Sequence, residues 1–102
     1  MNNAGVALEE LDLRRRRLHF RCWHRGMRET DLLLGRFADA TIAVLSEEEL
    51  ADFEELLEVP DRDILGWIIG ELVVPPEADT PLMRKILAFH GADIAQATDG
   101  NG

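Results

Sequence analysis

Apolar residues recur along this chain at spacings of three and four, in five blocks separated by short breaks. That period belongs to helices with one buried face. Leu11, Leu18 and Cys22 share such a face with Arg14, predicting a first helix that runs to about His24. Gly26 then lets the backbone turn, because a residue without Cβ tolerates positive φ. Leu33, Phe37, Ala40 and Val44 predict a second helix, for which Thr30 is a candidate cap. The third helix has the clearest start: Ser46-Glu47-Glu48-Glu49 reads as a capping box, with Leu45 and Leu50 as its hydrophobic staple. Leu50, Phe53, Leu56 and Leu57 face inward, and Val59-Pro60 ends the helix, since the residue before proline avoids the α region.

Asp61 is the expected cap of a fourth helix carrying Ile64, Leu65, Trp67, Ile68 and Leu72, with Trp67 as the central core residue. An extended link through Pro75 and Pro76 leads to Thr80-Pro81, a cap followed by a first-turn proline. Leu82, Ile86 and Phe89 mark the fifth helix, and Gly91 suits its end. The apolar runs 42–44 and 72–74 are too short to build a sheet. The expected fold is all-α, a compact single-domain bundle of about five short helices over residues 11–91. Residues 1–10 and 92–102 are expected to be flexible ends.

Charge changes this picture in one place. The 102 residues carry a net charge of −9, yet seven of the eleven Lys and Arg lie between Arg14 and Arg28, with no Asp or Glu among them. Three readings compete for that segment. It is a solvated face offsetting acids on neighbouring helices, a nucleic-acid surface using Phe20 and Trp23 as stacking groups, or a protein-binding surface. The net charge opposes the second, because a phosphate backbone meets a repulsive far field. The third draws on arginine's planar fork and on the enrichment of Arg and Trp at binding hot spots. Trp23, beside His24 and Arg25, is a candidate for that interface.

Little else suggests chemistry. There is no glycine-rich phosphate loop of either common pattern. Gly66 and Gly70, four apart, imply close packing at most. His19 and Cys22 share a helical face, but a structural zinc site needs four ligands and His90 is remote, so no metal site is expected. Cys22 reads as a small core residue rather than a nucleophile, and the acidic clusters at 47–49 and 54–55 as a solvated helix face. A lone cysteine fits a reducing compartment. No stretch is long and apolar enough for a membrane span, and the first ten residues lack secretory or presequence character. Cytoplasmic location in a bacterial-type cell is expected.

The run His24-Arg25-Gly26-Met27-Arg28-Glu29-Thr30-Asp31, followed by Leu33-Leu34-Gly35-Arg36-Phe37, resembles the SdhE family of FAD assembly factors for the succinate dehydrogenase flavoprotein. The family's Arg-Gly-x-x-Glu signature falls on Arg25, Gly26 and Glu29. The resemblance covers roughly residues 14 to 90, including the Ser46 helix start, Asp61, Asp63 and Trp67. Gly66 departs from it, standing where a polar residue is more usual, and is expected to loosen the fourth helix by roughly 1 kcal/mol relative to alanine.

The resemblance implies a factor that binds the immature flavoprotein subunit and promotes covalent attachment of FAD to one of its histidines. Such a factor is not itself an enzyme and binds no cofactor of its own, acting on FAD held by the partner. Arg25 would supply charged hydrogen bonds to that partner, and Gly26 would allow close backbone approach. Glu29 would either receive an arginine of the first helix, contact the partner, or cap the second helix. Arg28, Asp31, His24 and Trp23 complete the expected partner-binding set. The fumarate reductase flavoprotein is a further possible client, and a monomer forming a transient heterodimer is expected, without nucleic-acid or membrane partners. The alternative is a regulatory protein-binding module, such as the antitoxin of a toxin–antitoxin pair.

Overall fold

A computed structural model describes the backbone of residues 11–99 and the side chains of residues 11–91; of the ends expected to be flexible, 1–10 and 92–102, residues 1–10 and 100–102 lie outside the described residues. Five α-helices follow in order: α1 (Leu13–Trp23), α2 (Arg28–Thr41), α3 (Glu47–Leu56), α4 (Asp61–Ile69) and α5 (Pro81–Asp99). One turn of 3-10 helix, Pro76–Ala78, lies between α4 and α5, and the described residues contain no strand. The protein is all-α, as its periodicity requires. Helix α2 is the hub, packing against α1, α4 and α5, while α3 touches α1 and α5.

Each helix start shows its cause. Asp12 caps α1 by accepting from the Arg15 amide at 2.8 Å. Ser46 and Glu49 form the reciprocal capping box of α3, at 3.1 and 2.8 Å, and the staple residues Leu45 and Leu50 are both buried. Thr80 accepts from the Met83 amide at 3.0 Å and Pro81 opens α5. Such caps satisfy amides that the first helical turn leaves without partners, each contributing about 1 kcal/mol.

The core is a layer of Leu18, Cys22, Leu34, Phe37, Leu50, Phe53, Ile64, Leu82 and Ile86. Phe37 sits at its centre, meeting Phe53 and Phe89 edge-to-face at 5.8 and 5.6 Å between ring centroids. Such pairs add about 0.5–1.5 kcal/mol beyond the area they bury.

Several expectations need correction. Thr30 does not cap α2: the N-cap is Met27, and Thr30 is fully buried inside the helix. The inner face of α2 is Thr30, Leu34, Phe37 and Ala38, while Ala40 and Val44 are exposed. With Leu32, Leu33 and Leu34 consecutive, the apolar pattern admits either face, and packing against α1 selects one. Asp61 is not a cap; Pro60 holds that position and Asp61 serves the first turn of α4. Trp67 is only partly buried and packs against the edge of the core, while Leu72 is exposed. Finally, α5 does not end at Gly91 but continues to Asp99. The following Ala92, Ile94, Ala95 and Ala97 sustain the helix, and an interior glycine costs it only about 1 kcal/mol.

Gly66 also has a role that its departure from the family pattern concealed. It is buried, and a Cβ there would lie 2.5 Å from Leu72 Cδ1 and 2.7 Å from its Cγ. The Gly66 carbonyl accepts from the amides of Glu71 and Leu72 at 2.9 and 3.0 Å. The missing side chain therefore lets the chain fold back tightly against α4, aided by Gly70 at φ 84°.

Candidate functional site

The basic segment divides along α1. Three of its arginines turn toward neighbouring elements. Arg14 reaches Glu47 at 2.7 Å and Glu54 at 2.8 Å, and Arg21 reaches Glu58 at 2.8 Å, so α1 is laced to α3 and to the turn that follows it. The Arg14 hydrogen bond, working against partial desolvation, holds the Glu54 carboxyl below its ordinary value. Arg15 pairs with Asp12 at 3.0 Å and donates to the Ile42 carbonyl at 2.6 Å. Arg16 and Arg17 instead point to solvent, with no ion pair among the described residues. The offsetting-face reading thus holds for Arg14, Arg15 and Arg21, and leaves an outer basic edge.

The turn after α1 is tied to the α3–α4 turn by Arg25. Its side chain is 12% exposed and pairs through Nε with Asp61, itself 20% exposed. Nη1 donates to the Leu57 carbonyl at 2.6 Å and Nη2 to the Val59 carbonyl at 2.5 Å. Those carbonyls follow the end of α3, where backbone acceptors lack helical donors. The Arg25 amide donates to Asp31 Oδ1 at 2.8 Å, so Asp31 braces the same turn from α2. The groups expected to reach outward from Arg25 and Asp31 are therefore engaged within the fold. They hold the turn in shape.

What this clamp presents is Gly26. Its φ of 112° lies in the left-handed region, and a Cβ built there would meet nothing within 4 Å. Space is open above it, while the backbone conformation demands glycine. Arg28 and Glu29, in the first turn of α2, are both exposed and make no side-chain hydrogen bond or ion pair among the described residues. Glu29 neither caps α2 nor receives an α1 arginine.

On the α1 side, His24 stacks on Phe20 with centroids 3.9 Å apart and donates through Nδ1 to the Phe20 carbonyl at 2.7 Å. Phe20 is 59% exposed. Trp23 is a different kind of residue: its indole covers Gly35, where a Cβ would lie 2.7 Å from Cζ2 and nearer still to two other ring carbons. Its Nε1 donates to Asp39 at 3.1 Å, and His19 Nε2 donates to the same carboxylate at 2.6 Å. Trp23 is thus an anchor between α1 and α2 that stays partly exposed. Cys22 beneath is fully buried, and burial pushes its thiol up to about 12, so it behaves as a core residue and His19 is turned elsewhere.

Sequence reasoning named Phe20 only as a stacking group for nucleic acid, not as part of a protein-binding surface, and overlooked Gly35 as the reason α1 and α2 approach closely. A helical wheel through Leu18 and Cys22 places Phe20 on the opposite face and would have found it.

Residues 16–90 match the family model described as "Flavinator of succinate dehydrogenase". The chain belongs to that family. It is 45% identical over 84 residues to the FAD assembly factor SdhE of Acetobacter pasteurianus, covering 82% of this chain and 77% of that protein. It is 39% identical over 79 residues to the mitochondrial succinate dehydrogenase assembly factor 2 of Dictyostelium discoideum, and 38% identical over 79 residues to that of Saccharomyces cerevisiae. In both cases 78% of this chain is covered, and it spans 56% and 49%, respectively, of those longer relatives. No solved structure matches significantly. The flavinator-family match begins at Arg16, inside α1, and includes the clamped turn, α2, α3 and α4, with α5 matched as far as His90. Among the described residues no helix is long and apolar enough to cross a membrane.

Proposed function

We propose that this protein is an assembly factor that binds the succinate dehydrogenase flavoprotein subunit and promotes its covalent attachment of FAD. The observation that carries the reading is the Gly26 turn. It is an exposed loop with positive φ and open space above it, held from below by the Arg25 clamp and flanked by the unpaired charges of Arg28 and Glu29. A loop braced from two sides and clear on the third suits close approach of another backbone.

In this reading Gly26, Arg28 and Glu29 meet the flavoprotein, with His24 and the partly exposed Trp23 beside them. Arg25 and Asp31 are positioning residues. The factor contributes orientation: it holds the immature subunit so that the subunit's own histidine and flavin stand in reacting geometry. FAD belongs to the partner. The groove between α3, α4 and the 70–80 connection does not fit it, because Asp52, Glu55, Asp63 and Glu77 around its rim would repel a diphosphate. The fumarate reductase flavoprotein is a second client of the same surface. The working species is a monomer in a transient heterodimer.

The test is covalent flavin fluorescence of the flavoprotein subunit on a denaturing gel, in a host lacking its own factor. Wild type, Gly26→Ala, Gly26→Arg and Glu29→Ala would be compared. Both glycine variants carry the same backbone strain, about 1–2 kcal/mol, and should melt alike. Only Gly26→Arg should abolish fluorescence, with Glu29→Ala reducing it. Equal fluorescence with and without the folded factor would reject the assembly role.

A further inference from the structure

A second surface is built around Trp67, beside the α3–α4 turn. There the end of α3, the face of α4 and the 70–80 connection enclose a groove of about 750 Å³. Leu56, Trp67 and Met83 line it, and Leu72 and Val73 stand at its edge, Val73 being 90% exposed. Gly66 shapes this wall by letting Leu72 lie back over α4. The Trp67 indole makes no hydrogen bond among the described residues.

Around this apolar strip stand Asp52, Glu55, Glu58, Asp63 and Glu77. Only Glu58 has a cation, from Arg21. The other four carboxylates lack any ion pair among the described residues. The contrast along α3 is informative, because Glu47, Glu49 and Glu54 find Arg or Lys partners, whereas Asp52 and Glu55 on the same helix have none among the described residues. Arg14 of α1 and Lys85 of α5 pair the α3 acids that face them, and the two that border the groove are left bare. An aromatic and aliphatic strip between unpaired carboxylates complements a segment that alternates basic and apolar side chains.

We infer that this groove docks an arginine- or lysine-bearing segment of a protein partner, with an apolar side chain of that segment seated on Trp67. The chain's own ends do not supply the occupant: residues 1–10 and 92–102 contain acids and no Lys or Arg. A second copy is disfavoured by its own charge of −9, which repels at the distances where encounter begins. A partner segment of opposite charge is drawn in instead, and its arginine stems add apolar cover to the strip. The inference does not depend on the Gly26 surface.

The experiment is a titration of the full chain with the peptide acetyl-Arg-Leu-Arg-Leu-Arg-amide, followed by two-dimensional proton–nitrogen NMR. The two tryptophans give distinct reporters, Trp67 in the groove and Trp23 against Gly35. The Trp67 indole and the amides of Val73 and Thr80 should shift saturably, with half-saturation below about 1 mM. The Trp23 indole should stay in place. Glu55→Lys combined with Glu77→Lys alters two exposed residues outside the core, so the variant should fold while binding at least about fivefold more weakly. Shifts that fail to saturate, or that spread over all surface carboxylates, would overturn the inference. So would equal binding by the variant. Concentration-dependent shifts at Trp67 and Arg16 without peptide would assign the groove to a second copy and overturn it as well.

Discussion

Replacing Arg25 with alanine tests whether the signature arginine works inside the fold or on a partner. The side chain makes three donations, to Asp61 and to the carbonyls of Leu57 and Val59, and both ends of the ion pair are mostly shielded from water. Removing one member of a buried pair costs about 3–5 kcal/mol, because the other charge is left uncompensated. Asp61 can regain some water at 20% exposure, so the lower end, about 3 kcal/mol, is expected. For a domain of this size that corresponds to a fall in Tm of roughly 12–24 °C. Arg25→Lys should be milder, losing about 1–2 kcal/mol, since an ammonium can keep Asp61 but cannot reach two carbonyls with a planar fork. Urea and thermal unfolding followed by far-UV circular dichroism would measure both. A double-mutant cycle with Asp61→Asn should show a coupling above about 1 kcal/mol. A loss below about 1 kcal/mol for Arg25→Ala, accompanied by loss of flavoprotein binding, would refute the clamp and return Arg25 to direct contact.

Gly35→Ala should destabilise by about 1–3 kcal/mol through overpacking against the Trp23 indole, and Trp23→Leu in that background should recover part of the loss in a urea melt. Stability should decline in acid below pH 4.5. Glu49 is held below that ordinary value chiefly by Lys85 and then by the Ser46 amide, and Glu54 chiefly by Arg14. A depressed carboxylate stabilises the fold above its unfolded pKa, and that contribution disappears as pH falls through the lower folded value. Arg14→Gln should flatten the Glu54 part of the decline; an unchanged acid limb would contradict the assignment. Cys22 should react with a thiol reagent at pH 8 only as fast as the protein unfolds, because its thiol is buried and raised to about 12. Rapid labelling of the native protein would show that the inner face of α1 is open.

Local signals determined which elements form. The Ser46–Glu49 box, the Thr80-Pro81 start, Pro60 and the apolar period act over one or two turns, so their chemistry is written in adjacent residues. The Arg-Gly-x-x-Glu signature likewise marked the turn that the fold exposes. What the sequence left open was direction. Whether Arg25 points in or out depends on carbonyls at Leu57 and Val59, more than thirty residues away. The face of α2 that is buried depends on an indole from α1 resting on Gly35, and three consecutive leucines cannot announce it. The same holds for Trp67, which composition places in the core and packing leaves at a groove. Periodicity measures only distance along one helix. The inward or outward choice of a long side chain is made by the partner that the rest of the chain brings to it, and only the tertiary structure contains that partner.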